Sequence, residues 1–269
     1  MPLWWRVQMT SKKLRIVIKL GTGVLTRADG PRLDENQFTE IAENIGGLVR
    51  DGHQVILVSS GAVGAGLEVL GLTNYPEDTR TRQACAALGQ IQLIQRYERL
   101  FGQRGIRVAQ LLLTQADIQT QERGAKIVDT LETLLNAGPI LPIINENDSV
   151  AVEELMLGDN DRLASAVAVV AKADLMILLT EVDGLLPNAP EDGSPIEPIP
   201  EVTDVAAAKL MVQPIKGRFS MGGMGSKLDS IQTVVAAGIP AVIASGHRLE
   251  QLAEIVGGGG LCSRFPVAS

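Results

Sequence analysis

Two polar clusters in the middle of the chain hold residue types that bind charged small molecules. The apolar run Ile140–Ile144 stops abruptly at Asn145-Glu146-Asn147-Asp148. Further on, Gly158-Asp159-Asn160-Asp161 opens a segment whose apolar positions Leu163, Ala166, Val167 and Val170 follow helical spacing. The first cluster reads as the carboxyl end of a buried strand, the second as the cap and first turn of a helix. Taken singly, Asn at a strand end forms a turn and Asp at a helix start is a cap. Crowded together, they mark the place where open α/β sheets hold their ligands.

Three other stretches have chemistry to offer. Leu14–Leu20 reads as a strand carrying Lys19 near its carboxyl end, followed by Gly21-Thr22-Gly23. A lysine on an interior strand is costly to desolvate unless paired, so it either snorkels to solvent or meets a phosphate. Gly21 and Gly23 would let backbone N–H groups approach an anion, although the stretch is neither a Walker A loop nor GxGxxG. Ser59-Ser60-Gly61-Ala62 follows the strand Val55–Val58 and leads into a helix over 63–70, again offering N–H groups to an anion. Glycine-rich Phe219–Lys227 leads into a helix over 226–237.

The elements that must position these groups alternate. Strands are expected over Ile106–Leu113, Leu175–Leu179 and Pro240–Ala244, beside those already named. Helices are expected over Leu33–Arg50, with Phe38, Ile41, Ile45, Leu48 and Val49 inward, and over Arg80–Phe101, with Ala84, Ala87, Leu88, Ile91 and Ile94 inward. Further helices are expected over 122–136, 160–172, Asp204–Val212 and Leu249–Val256, the last followed by four glycines. The proline-rich stretch 187–202 reads as an exposed loop or small hairpin. This alternation predicts a three-layer α/β/α sandwich with a mainly parallel central sheet, occupying 13–269 after a tail over 1–12 in which Met9 offers a second start.

Composition narrows the function. Hydrophobic residues are 45%, charged residues 20% and aromatics 3% of the 269, so the core is aliphatic and the chain globular. The net charge of −7 argues against nucleic acid as a partner. Cys85 and Cys262 fit a reduced, cytoplasmic protein, and His53 and His247 have no metal-ligand spacing. No apolar run approaches a membrane span, and the first residues lack the apolar core of a signal peptide.

The motifs KLGTGVL (19–25), SSGAVGAG (59–66), PIINENDSV (142–150), GDNDRLA (158–164) and GGMGSK (222–227) occur in an order and at spacings that resemble the amino acid kinase family, and within it the glutamate 5-kinases. The likeness covers roughly 14–256. It implies ATP-dependent phosphorylation of the side-chain carboxylate of L-glutamate, the first step toward proline, with ATP as co-substrate and Mg²⁺ on its phosphates. It also implies a homo-oligomer subject to feedback inhibition by proline, and no metal ligands from the protein. A sibling kinase acting on N-acetylglutamate, aspartate, carbamate or UMP, or a non-catalytic nucleotide-binding protein on the same fold, are the alternatives. Many bacterial members add a carboxyl-terminal PUA domain, which is not expected here.

Carried over by position, the resemblance assigns Lys19, Asp161 and Lys227 to catalysis, with the aspartate organising the two lysines. Ser60, Asn145, Asn147, Asp148 and Asn160 fall on the glutamate side. Lys19, Gly21, Gly23, Thr180 and Glu181, and the stretch Met221, Gly222, Gly223, Met224, Gly225, Ser226 and Lys227, fall on the nucleotide side. Glu181, Met221 and Leu186 depart from the residues usual at those positions. The implied chemistry needs no general base, because a carboxylate acceptor with a pKa near ~4.3 is already ionised at neutral pH. It needs cations, since the charge of a loose phosphoryl-transfer transition state sits on the equatorial oxygens. Glutamate's ammonium needs an anionic acceptor, for which Asp148 is the candidate.

Overall fold

The computed structural model describes residues 12–27, 30–150, 160–187, 197–211 and 223–267. Its centre is a seven-stranded sheet of β1 (Arg15–Leu20), β2 (Gln54–Val58), β3 (Arg107–Leu113), β4 (Ile140–Glu146), β5 (Leu175–Thr180), β6 (Ala241–Ser245) and β7 (Cys262–Phe265). The spatial order is β3-β4-β2-β1-β5-β6-β7, parallel throughout except for β7. The chain leaves β1 toward β2 on one side, and leaves the other neighbour of β1, β5, toward β6 on the opposite side. Loops at the carboxyl ends therefore diverge there and open a crevice.

The helices are α1 (Thr22–Leu25), α2 (Glu35–Arg50), α3 (Ala62–Leu70), α4 (Thr79–Gly102), α5 (Gln115–Gln119), α6 (Gln121–Asn136), α7 (Asn160–Val170), α8 (Val205–Met211), α9 (Met224–Ala236) and α10 (Leu252–Val256). A 3₁₀ turn, Leu249–Gln251, precedes α10. Asp34 starts α2 by accepting hydrogen bonds from the backbone N–H groups of Asn36 and Gln37. Two cores cover the two faces of the sheet. On one, Ile16, Ile18 and Leu20 pack with Phe38 and Ile41 of α2 and Leu93 and Tyr97 of α4. On the other, Val17 packs with Leu131 of α6, Val167 of α7 and Leu228 of α9. Side chains alternate along a strand, so Lys19 shares the face of Val17, toward α7 and α9.

The expected sandwich is present, and its strands and longer helices lie within a few residues of their expected bounds. Four features differ. The short helices α1 and α5 follow their strands directly, and α5 opens with a capping box between Thr114 and Asp117. β7 was not expected, because four residues after a glycine run carry too little periodicity to read. It is held by tertiary contacts: Ser263 Oγ accepts from the Leu185 N–H at 2.8 Å and donates to the Ile199 carbonyl at 2.6 Å. Of the expected tail, Lys12 is described, paired with Asp174 at 2.8 Å, and 1–11 lie outside the described residues. Most of the proline-rich loop (188–196) also lies outside them.

The fourth difference is the buried face of α4. Leu88 and Ile91, expected inside, are 37% and 55% exposed, and Ala84 and Ala87 are exposed as well. Only Ile94 packs partly against the core. The buried face is Cys85, Ala86, Gly89, Gln90, Leu93 and Tyr97. Glycine selects it. A Cβ on Gly89 would lie 1.8 Å from the Ala62 carbonyl oxygen, and one on Gly66 would lie 1.9 Å from the Cys85 carbonyl oxygen. The two helices cross backbone to backbone at that point, a contact that hydropathy spacing cannot register.

Gly89→Ala should therefore lower stability by roughly 1–3 kcal/mol or more, since only backbone is available to yield. Gly47→Ala, on α2 with nothing within 4 Å of its added methyl, should instead raise it by roughly 0.5–1 kcal/mol. Urea midpoints of the two variants moving in the same direction would contradict the crossing.

Candidate active site

The carboxyl ends of β1, β2 and β4 meet the amino ends of α3, α7 and α9. Lys19 is 4% exposed, Lys227 is 9% exposed and Asp161 is fully buried. Asp161 Oδ1 lies 2.5 Å from Lys19 Nζ and its Oδ2 lies 2.9 Å from Lys227 Nζ. Lys19 comes from β1, Asp161 from the first turn of α7 and Lys227 from the first turn of α9. Buried charges of this kind are stable only where they are paired and hydrogen-bonded, and Asp161 gives each lysine such a partner. Lys19 thus does not snorkel, and Asp161 is more than a cap.

A Cβ added to Gly21 would sit 3.8 Å from Lys19 Nζ, in ordinary contact with the ammonium. Gly21 does not present its N–H to an anion as expected, because it donates to the Leu179 carbonyl at 3.3 Å. Gly23 faces the Glu181 side chain, which an added Cβ would strike. Thr180 closes the turn after β5: its hydroxyl donates to the Val182 carbonyl at 3.0 Å and accepts from the Val182 N–H at 3.1 Å. Gly223 caps α9 in an extended conformation, and Met224, Gly225 and Ser226 form its exposed or half-buried first turn ahead of Lys227. Met221 and Gly222 lie outside the described residues.

Next to this cluster is a cavity of about 310 Å³, lined by Ser60, Asn145, Glu146, Asp148 and Asn160 among others. Asn160 joins the two halves, lining the cavity while the next residue, Asp161, holds the lysines. Its Nδ2 lies 2.6 Å from the Ser59 carbonyl, 3.0 Å from Ser60 Oγ and 2.9 Å from Asn145 Oδ1. Asn145 in turn donates to Gln90 Oε1 at 2.8 Å, and Ser59 shares a 2.9 Å hydrogen bond with buried Tyr97. The floor is a fixed polar network anchored in α4. Gly61 makes the turn above it, with φ +93° that an L side chain would oppose.

The acids of the cavity are unusual. Burial pushes Asp148 up to about 6, and burial together with the charge of Asp148 pushes Glu146 up to about 7. Asn147 is not brought to the cavity; its backbone N–H donates to the Leu113 carbonyl at 3.0 Å and its carbonyl accepts from Val150. Glu146, Thr22, Tyr75 and Arg82 line the cavity without having been singled out from the sequence. Glu146 was legible, since it stands inside the first polar cluster. Tyr75 and Arg82 lie far from any motif, and only the crossing of α3 and α4 brings them in. Burial pushes the Tyr75 phenol up to about 12.

Among the described residues no group of three His, Cys, Asp or Glu could hold a metal ion. None of their helices is long and apolar enough to cross a membrane.

A parallel α/β/α sandwich with paired lysines on a buried aspartate, beside an acid-lined cavity at the carboxyl ends of its strands, defines a small-molecule kinase. The amino acid kinase family model matches residues 14–245, and the chain belongs to that family. It is 42% identical over 244 residues to glutamate 5-kinase of Symbiobacterium thermophilum, covering 91% of this chain and 92% of that one. It is 41% identical to glutamate 5-kinase of Shewanella woodyi, covering 90% of this chain and 65% of that longer one. Solved structures share the fold. Carbamate kinase from Giardia lamblia bound to AMP-PNP has TM-score 0.67 at 18% identity, over 96% of this chain and all of that one. N-acetylglutamate synthase from Neisseria gonorrhoeae has TM-score 0.68 at 15% identity, over 98% of this chain and 62% of that one.

Proposed function

We propose that this chain transfers the γ-phosphoryl group of ATP to the side-chain carboxylate of L-glutamate. The observation that carries the reading is the contiguity of the two half-sites through Asn160 and Asp161. Cations for a phosphoryl group lie on one side, and paired acids for an ammonium on the other. Lys19 and Lys227 neutralise charge that grows on the transferred group, and Asp161 holds them in place without taking a proton. The acceptor is an anion at neutral pH and attacks without a base.

Mg²⁺ fits as a passenger of the nucleotide. A hard cation that keeps its waters is carried by phosphate oxygens, matching a site whose buried carboxylate is already engaged by two lysines. When bound, it would add to the neutralisation of phosphate charge. Feedback inhibition by proline, homo-oligomerisation and a cytoplasmic location belong to the same reading.

ADP release with a panel of acceptors, with hydroxylamine trapping the acyl phosphate, tests the assignment. Glutamate-dependent release with hydroxamate formation is expected, and release driven instead by carbamate, aspartate or UMP would overturn it.

The raised acids predict a pH profile. Neutral carboxyls cannot balance an ammonium, so kcat/KM for glutamate should climb as pH rises from about 5 to about 8, through the ionisations near 6 and 7. Stability without glutamate runs the other way. Both folded-state pKa values lie above ordinary carboxylate values, so these groups favour the fold at low pH and lose that contribution as pH rises through about 6 and 7. A profile for glutamate that is flat between pH 5 and 8 would contradict the placement of the ammonium.

A further inference from the structure

Arg82 is a cavity-lining cation in the first turn of α4, which Asp78 caps by accepting from the Thr81 N–H at 2.8 Å. Its Nη2 donates to Thr79 Oγ1 over a long 3.4 Å, and its Nε is out of solvent with no hydrogen-bond partner among the described residues. It shares the cavity with Glu146 and Asp148, yet forms no ion pair with either. A guanidinium and two carboxylates free to meet would close into a salt bridge and fill the space. Here the fold holds them apart and leaves a buried N–H without an acceptor among the described residues, which is costly. A free amino acid answers both deficits, offering an ammonium to the acids and a carboxylate to the arginine.

We propose that Arg82 binds the α-carboxylate of the acceptor and thereby restricts the enzyme to amino acids whose α-carboxylate is free. The proposal rests on the reading of the acceptor as glutamate. The guanidinium fork matches a carboxylate in two parallel hydrogen bonds, and Arg82 lines the cavity with its Nε unpartnered among the described residues. The phosphorylated carboxylate lies at the other end of the substrate, toward Asn160 and the lysines. Arg82 is therefore a specificity residue that leaves phosphoryl transfer to Lys19 and Lys227.

The probe is the α-amide of L-glutamate, which keeps the ammonium and the reacting carboxylate and loses only the α-charge. Wild-type enzyme should favour glutamate over the amide in kcat/KM by roughly 30-fold or more, the range of a buried charged contact. Arg82→Gln should raise the KM for glutamate by a similar factor and leave turnover of the amide within about threefold, so that selectivity collapses. Arg82→Lys, which keeps the charge and loses the fork, should fall between. Melting temperature and ATP affinity measured without glutamate establish that each variant is folded. Arg82→Gln with glutamate kinetics within threefold of wild type would overturn the proposal, as would equal losses for glutamate and amide. Indifference of the wild-type enzyme to the amide would overturn it without any variant. Absence of turnover with both compounds would instead defeat the glutamate reading itself, and this proposal with it.

Discussion

Lys19→Ala and Lys227→Ala should each lower kcat by roughly 10²–10³, with far smaller changes in ATP affinity. Both ammonium groups are fixed on Asp161, at 2.5 Å and 2.9 Å. Their positions need no reorganisation when charge builds on the transferred phosphoryl oxygens, and only interactions stronger in the transition state raise kcat. Each single variant leaves Asp161 with one lysine, so the buried carboxylate keeps a counter-ion and the fold survives. Asp161→Ala is different, because it removes the buried carboxylate that both lysines share and costs about 3–5 kcal/mol in stability. Steady-state kinetics with both lysine variants at wild-type kcat would remove the cluster from the chemistry.

Asp148→Ala should raise the KM for glutamate by roughly 30-fold to a few thousand-fold, corresponding to about 2–5 kcal/mol for one partner of a buried charge pair. ATP binding without glutamate should stay within about threefold. The measurement belongs near pH 8, above the value of about 6 for Asp148 and about 7 for Glu146, where both acids are ionised. Glu146 shares the cavity, so the double variant should lose more than the single one. The competing account makes Asp148 a turn residue, whose loss would cost about 1 kcal/mol of stability and leave glutamate kinetics alone. The place of its half-buried carboxyl in the lining of the cavity argues against that account, and a folded Asp148→Ala protein with wild-type KM for glutamate would restore it.

The parts of this site legible in the sequence are those with a local signature. Ile140–Ile144 breaking into Asn145–Asp148, Asp161 opening α7, and Lys19 as a charge on an apolar strand each follow from a few neighbouring residues. Strand runs and helical spacing likewise act over one element at a time, which is why the alternation of β1 to β6 with helices could be read. The pairing of Asp161 with both lysines could be inferred only through resemblance. No periodicity brings residues 19, 161 and 227 together; the parallel order of the sheet and the alternation of Val17 and Lys19 do. What the tertiary structure alone decided rests on contacts without a local signal. Gly66 and Gly89 carry no side chain to weigh, yet their close crossing turns α4 so that Leu88 and Ile91 face solvent and Gln90 supports Asn145. The same crossing sets Tyr75 and Arg82, outside the motifs, in the lining of the cavity that Glu146 and Asp148 share. β7 forms because Ser263 bonds the backbone of two distant segments, a stabilisation that exists only once those segments are already in place.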